Sequence, residues 1–150
     1  MVTNNQIQNF LSLKTFALIG VSRDSKKFGN AIYKELKSKN FSVFPIHSEM
    51  KNIAGDDCYP DIKSLPSLPE GLIVVTNKKK SLGIVKDAYT SGIRNIWISQ
   101  MSESKDAIEY CRKNFINVIY RQCPLMFFGQ VSGFHNFHKF IKKVFGRLPK

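Results

Sequence analysis

The chain has 150 residues, enough for one domain, and its 43% hydrophobic and 12% aromatic content excludes an intrinsically disordered protein. Its apolar runs are too short to span a membrane, its N-terminus lacks the features of a secretory signal, and its three cysteines form no C-x-x-C pair, so we expect a cytoplasmic protein. The net charge of +12 is uneven, since no acidic residue follows Glu109, and it favours anionic partners without identifying them.

The first predicted elements are a helix, a buried strand and a second helix. Residues 4–13 have the spacing of a short leading helix, and 15–19 form an apolar run typical of a strand buried on both faces. Helical spacing resumes at about 27–39, and Asn40 is a suitable left-handed residue to end that helix. The polar stretch between strand and helix is therefore predicted to be a tight turn.

This turn has the features of an anion site. Unpaired backbone N–H groups and the helix dipole favour an anion at a helix N-terminus. Gly20 allows a close backbone approach, Ser22 offers a hydroxyl, and Lys26 and Lys27 add positive charge. These groups fit a phosphate, and a strand–helix turn without a ligand is the alternative. We expect Gly20→Val to abolish binding and leave the fold largely intact.

The rest of the pattern alternates strands with helices. The further predicted elements are a strand at 41–46, a polar connection at 47–70 with one helical turn near 61–65, a strand at 72–76, a helix at 79–91, a strand at 96–98, a helix capped by Ser102, and a strand at 118–120. Gly92 is the predicted C-terminal stop of the helix at 79–91. The final segment, about 133–146, has the spacing of a basic amphipathic helix.

This order of elements predicts an α/β fold: a Rossmann-like, doubly wound, parallel five-stranded sheet of order 3-2-1-4-5, with helices on both faces. Ligands of such sheets bind at the carboxyl ends of the strands, where the order reverses. The segments predicted to meet in that crevice are Gly20–Arg23, Ile46–Ser48, Thr76–Lys79 and Ser99–Met101.

Catalytic and metal-binding patterns are missing from the sequence. No paired carboxylates, Ser/His/Asp or Cys/His arrangement can be assembled, and no zinc site is expected. His47 is expected in the crevice as a hydrogen-bonding group, and Cys123 is expected to be buried. Nicotinamide-binding folds place Asp or Glu at the tip of the second strand to bind the ribose, where this chain has His47 and Ser48. A phosphorylated ribose therefore fits better than NAD.

A set of motifs in fixed order resembles the small single-domain CoA-binding protein family, which is similar to the N-terminal domain of the succinyl-CoA synthetase α-subunit. The motifs are Phe-Ala-Leu-Ile-Gly-Val-Ser-Arg-Asp, Lys-Phe-Gly-Asn, Val-Phe-Pro-Ile-His, Gly-Asp-Asp-Cys-Tyr-Pro-Asp-Ile, Leu-Ile-Val-Val-Thr, Ile-Trp-Ile-Ser-Gln and Arg-Gln-Cys-Pro-Leu-Met. They cover about residues 13–126. One departure is His47-Ser48-Glu49, where the family commonly has Asn-Pro-Lys.

The resemblance implies that the strand tips bind coenzyme A or an acyl-CoA, with the glycine turn at the phosphates and adenosine and the later strand tips at the adenine and pantetheine. Ligase activity is not implied, because the synthetase's phosphohistidine belongs to a second domain. From the crevice and the resemblance together, the candidate ligand-binding residues are Gly20, Val21, Ser22, Arg23, Lys26, Lys27, Phe28, Gly29, Ile46, His47, Thr76, Asn77, Lys79 and Gln100.

The expected protein is thus a single CoA-binding domain over 1–150 without catalytic activity of its own. The alternatives are an NAD(P)-type redox-sensing domain and, less favoured by the pattern, a nucleic-acid-binding module, since the aromatic residues have core spacing. The basic C-terminal helix is expected to pack on the domain, to form a homodimer contact or to meet an acidic protein partner.

Overall fold

The computed structural model describes residues 1–129 of the chain. The helices are α1 (Asn4–Leu11), α2 (Phe28–Ser38), α3 (Lys78–Ser91), α4 (Lys105–Lys113) and α5 (Pro124–Phe128). The strands are β1 (Thr15–Ile19), β2 (Ser42–Ile46), β3 (Asn52–Ile53), β4 (Asp56–Asp57), β5 (Gly71–Val74), β6 (Asn95–Ser99) and β7 (Asn117–Gln122), with a 3₁₀ helix at Ile62–Ser64. The predicted helix at 133–146 lies outside the described residues.

Five strands form one parallel sheet in the order β2-β1-β5-β6-β7. In this sheet β2 lies on one side of β1, and β5, β6 and β7 lie on the other side. The predicted Rossmann-like, doubly wound architecture is therefore confirmed. The predicted strand order 3-2-1-4-5 differs from the observed order at one strand. The third parallel strand, β5, pairs with β1 and not with the outer edge of β2.

The connection after β2 explains where β5 lies. It folds into the antiparallel pair β3–β4 and then returns along β2 as a single-residue bridge between Ile46 and Tyr59. The Tyr59 N–H donates to the Pro45 carbonyl, and the Tyr59 carbonyl accepts the His47 N–H, both at 2.9 Å. The outer edge of β2 is thus already hydrogen-bonded at its carboxyl end, and the next strand of the sheet forms beside β1.

Helices cover both faces of the sheet, as predicted. On one face α1, α2 and α5 bury an aromatic cluster that includes Phe10, Phe16, Trp97 and Phe128, with the Phe10 and Phe16 rings 5.2 Å apart. On the other face α3 and α4 cover a mainly aliphatic core that includes Val85. Each face of β1 therefore contributes to a separate core, which is why its apolar run is continuous.

The residues predicted to cap helices are confirmed at two helix ends and wrong at a third. Asn40 and Gly92 have the left-handed backbone predicted for helix ends, with φ of 65° and 102°. The N-cap of α4 is Ser104, whose hydroxyl accepts the Ala107 N–H, and not Ser102 as predicted. Ser102 is instead buried in the loop after β6, where it follows Met101, a residue with left-handed backbone, and accepts the Thr76 N–H.

Two of the three cysteine thiols have a raised pKa. Burial raises the pKa of the Cys111 thiol to about 12, and burial, followed by the carboxylates of Asp56 and Asp57, raises the pKa of Cys58. Both thiols are therefore stabilised in the neutral form, which is the unreactive one. Cys123 is buried, as predicted.

None of the described helices is long and apolar enough to cross a membrane.

Candidate functional site

The turn between β1 and α2 is held by a pair of glycines in direct backbone contact. A Cβ on Gly29 would lie 2.0 Å from the Gly20 carbonyl oxygen, and a Cβ on Gly20, whose φ is 134°, would lie 2.3 Å from the Val75 carbonyl oxygen. The expectation that Gly20→Val leaves the fold largely intact is therefore wrong. Both glycines allow the first turn of α2 to pack against the carboxyl ends of β1 and β5.

A buried side chain that the sequence analysis missed fixes the same turn. Asn30, only 5% exposed, accepts the Ser22 N–H at 2.7 Å and donates to the Ser22 carbonyl at 2.8 Å. An asparagine on the inner face of a predicted helix was the available signal, because asparagine is unfavourable there without a specific partner. The Ser22 hydroxyl accepts the Asp24 N–H and can still donate its own proton.

The N-terminus of α2 has no side-chain cap. Its N-cap residue, Lys27, makes no capping hydrogen bond, whereas Thr3, Asn77 and Ser104 cap α1, α3 and α4 with side-chain oxygens. The first N–H groups of α2 are therefore left for another acceptor, and the dipole of this helix favours an anionic one. The predicted anion site is thus consistent with the local geometry.

Two clefts open at the carboxyl edge of the sheet, and they meet at Gly20 and Thr76. The first, called here the α2 cleft, has a volume of about 530 Å³ and is lined by Gly20, Ser22, Lys27, Phe28, Gly29, Val75, Thr76, Gln100, Met101 and Ser102. The second, the β2 cleft, has about 430 Å³ and is lined by Ile19, Gly20, Val21, Ile46, His47, Ser48, Pro60, Asp61, Ile62, Thr76, Lys80, Ile84 and Asp87. Both volumes are typical of small-molecule sites.

The structure therefore brings ten of the fourteen predicted residues to these clefts. The other four, Arg23, Lys26, Asn77 and Lys79, are not among the lining residues. Asn77 instead caps α3 by accepting the Lys79 N–H, and Lys80 is the lysine of α3 that reaches the β2 cleft. The predicted ligand contacts of all fourteen residues stay predictions.

A short hydrogen-bond chain positions Thr76, where the two clefts meet. The Thr76 N–H donates to the Ser102 hydroxyl at 2.9 Å, and the Ser81 hydroxyl donates to the Ser102 carbonyl. Ser102 and Ser81 are both buried. This chain connects the end of β5 to α3 and to the loop after β6, so the shared floor of the two clefts is built from three elements.

His47 is engaged with the backbone. Its Nδ1 accepts the N–H groups of Glu49 and Met50, both at 3.0 Å, so the proton of the neutral ring lies on Nε2. Protonation at Nδ1 would remove both contacts. Within residues 1–129, no group of three or more His, Cys, Asp or Glu side chains is placed to hold a metal ion.

A larger cleft, of about 890 Å³, lies between α4 and β7 and contains none of the predicted residues. Its rim carries both charge signs, and the Glu109 carboxylate is paired with Lys113 at 3.3 Å. It does not contact the turn between β1 and α2.

The chain resembles known proteins in sequence and in fold. The chain is 24% identical over 125 residues to the α subunit of an ADP-forming acetate–CoA ligase II from Pyrococcus furiosus, and it spans only 27% of that protein's length. The solved structure of a conserved hypothetical protein from Pyrococcus furiosus matches this chain with a TM-score of 0.70 and 29% sequence identity. The match covers 73% of this chain and 95% of that one.

The fold also occurs in a larger protein. A dinucleotide-forming acetyl-coenzyme A synthetase 1 from Candidatus Korarchaeum cryptofilum matches with a TM-score of 0.64 at 18% identity, over 80% of this chain and 28% of that one. The family model described as the CoA binding domain matches residues 14–128, from just before β1 to the end of α5. The chain therefore belongs to the CoA-binding domain family.

Proposed function

We propose that this chain binds coenzyme A, free or acylated, across the carboxyl ends of β1, β2, β5 and β6. The observation that carries the proposal is the uncapped N-terminus of α2, held against the glycine turn by Asn30 at the point where the two clefts meet. Unpaired N–H groups at a helix N-terminus suit a pyrophosphate, and Lys27 adds positive charge beside them.

The two clefts differ in the chemistry they offer to the rest of the ligand. Phe28, Val75 and Met101 give the α2 cleft an apolar surface that suits a pantetheine arm or an acyl chain. The β2 cleft carries the charged side chains of Asp61, Lys80 and Asp87, which suit a nucleoside. CoA has both kinds of end, separated by a pyrophosphate, and it fits the order apolar cleft, glycine turn, polar cleft.

We assign binding and no catalysis to this site. His47, the imidazole in the β2 cleft, uses Nδ1 to accept two backbone N–H groups, and this contact orders the turn after β2. Its role in the proposal is to shape the cleft.

The proposal predicts a ranking of nucleotides. CoA should bind about tenfold more tightly than dephospho-CoA, because a charge-assisted contact from Lys26 or Lys27 to the extra phosphate contributes roughly 1.5 kcal/mol, and both should bind more tightly than NAD. Isothermal titration of the full chain with each nucleotide measures the ranking. Acid extraction of the purified protein, followed by mass spectrometry, identifies any ligand that copurifies. A preference for NAD, or no affinity for CoA, would contradict the proposal.

A further inference from the structure

An exposed ion pair joins the two turns that bound the β2 cleft. Arg23 follows Ser22 in the turn after β1, Glu49 follows Ser48 in the turn after β2, and the Arg23 Nη1 lies 3.5 Å from the Glu49 Oε2. The two side chains are 69% and 68% exposed, so the contact is hydrated and exchangeable. The guanidinium of the residue that follows Ser22 in the glycine turn is thus paired with a carboxylate of the protein itself.

The backbone holds Glu49 in this position. The Glu49 N–H donates to the His47 Nδ1 at 3.0 Å, and His47 is in turn fixed by its N–H bond to the Tyr59 carbonyl. The other cations of the glycine turn, Lys26 and Lys27, have no ion-pair partner among residues 1–129. Glu49 therefore neutralises the Arg23 guanidinium and leaves the ammonium groups of Lys26 and Lys27 without an ion pair.

A carboxylate at the tip of the second strand has a defined chemical preference. It accepts hydrogen bonds from free ribose hydroxyls and repels a phosphate esterified to the ribose, while a free arginine does the reverse. A ribose phosphate would have to displace Glu49 from Arg23 before it gained that guanidinium. The ion pair therefore acts on one group of the ligand, the ribose phosphate, more than on the rest.

We propose that Glu49 limits the selectivity of this site for a 3′-phosphorylated ribose, by competing with that phosphate for Arg23. The inference rests on the proposed function, since it concerns how the same site ranks CoA against dephospho-CoA. Removal of the carboxylate is expected to strengthen the binding of CoA and to leave dephospho-CoA nearly unchanged.

The test compares both nucleotides on matched variants. In Glu49→Gln, which keeps the backbone N–H to His47, the affinity for CoA should rise about fivefold at low salt, and that for dephospho-CoA should change less than twofold. The increase in CoA affinity should disappear in 1 M salt, because the electrostatic screening length is then about 3 Å. Glu109→Gln is the control, because it removes an exposed carboxylate that pairs with Lys113 on α4, and it should alter neither affinity.

A double-variant cycle identifies Arg23 as the shared partner. Arg23→Gln should weaken CoA binding more in the Glu49→Gln background than in the wild-type chain, because there no carboxylate competes with the phosphate for the guanidinium. Equal gains for both nucleotides, or equal effects of Arg23→Gln in both backgrounds, would overturn the role of Glu49 while the proposed function stood. Failure of every variant and of the wild-type chain to bind either nucleotide would overturn the proposed function and this inference with it.

Discussion

Gly29→Ala should lower the stability of the chain by about 3 kcal/mol or more, because the new Cβ would fall 2.0 Å from the Gly20 carbonyl oxygen. The colliding atoms are backbone, so relief requires α2 to move away from β1. For a chain of this size the melting temperature should fall by roughly 6–12 °C, measured by circular dichroism. CoA affinity should fall with it, since the displaced helix end is the proposed pyrophosphate site.

Gly83→Ala is the matched control, because Gly83 lies within α3 and a Cβ there meets no atom within 4 Å. It should raise stability by about 0.5–1 kcal/mol through helix propensity. If Gly29→Ala unfolded at the wild-type temperature, the close approach of α2 to the glycine turn would be refuted, and with it the geometry of the α2 cleft.

Asn30→Ala should cost about 2–3 kcal/mol of stability and weaken CoA binding at least tenfold. The substitution leaves the N–H and the carbonyl of Ser22 without their partner in a partly buried turn, and each such loss costs about 1–3 kcal/mol. The turn then loses the contact that holds it in place at the proposed CoA site. Urea unfolding gives the stability, and titration with CoA gives the affinity.

Asn30→Asp separates the two hydrogen bonds. Aspartate can still accept the Ser22 N–H but cannot donate to the Ser22 carbonyl, so it should recover only part of the affinity. Asn9→Ala, an exposed position on α1, is the control and should leave CoA affinity unchanged. A normal CoA affinity in Asn30→Ala would show that the turn holds its shape without Asn30.

Elements with a local physical cause were predictable from the sequence. The apolar run at Phe16 to Ile19 and the helical spacing after Lys27 identify β1 and α2, because burial and periodicity act over a few neighbouring residues. The glycine turn between them follows from the same local pattern. The pair β3–β4 and the helix α5 were missed, because each is too short to show a period.

The candidate site was predictable in part for the same reason. The ends of parallel strands meet at one edge of a sheet, so Gly20, Ile46 and Thr76 could be brought together from the strand assignments alone. The contribution of Pro60, Asp61 and Ile62 to the β2 cleft could not, because it depends on how the connection after β2 returns along that strand.

The sequence by itself determined the longer elements of this protein, their parallel arrangement and the place of the predicted anion site, since these follow from spacing and from the chemistry of single turns. Only the tertiary structure decided that β5 lies beside β1, that Asn30 holds Ser22, and that Glu49 pairs with Arg23. In each case the sequence offers several possible hydrogen-bonding or charged partners. Packing between residues that are far apart in the chain determines which partner is used.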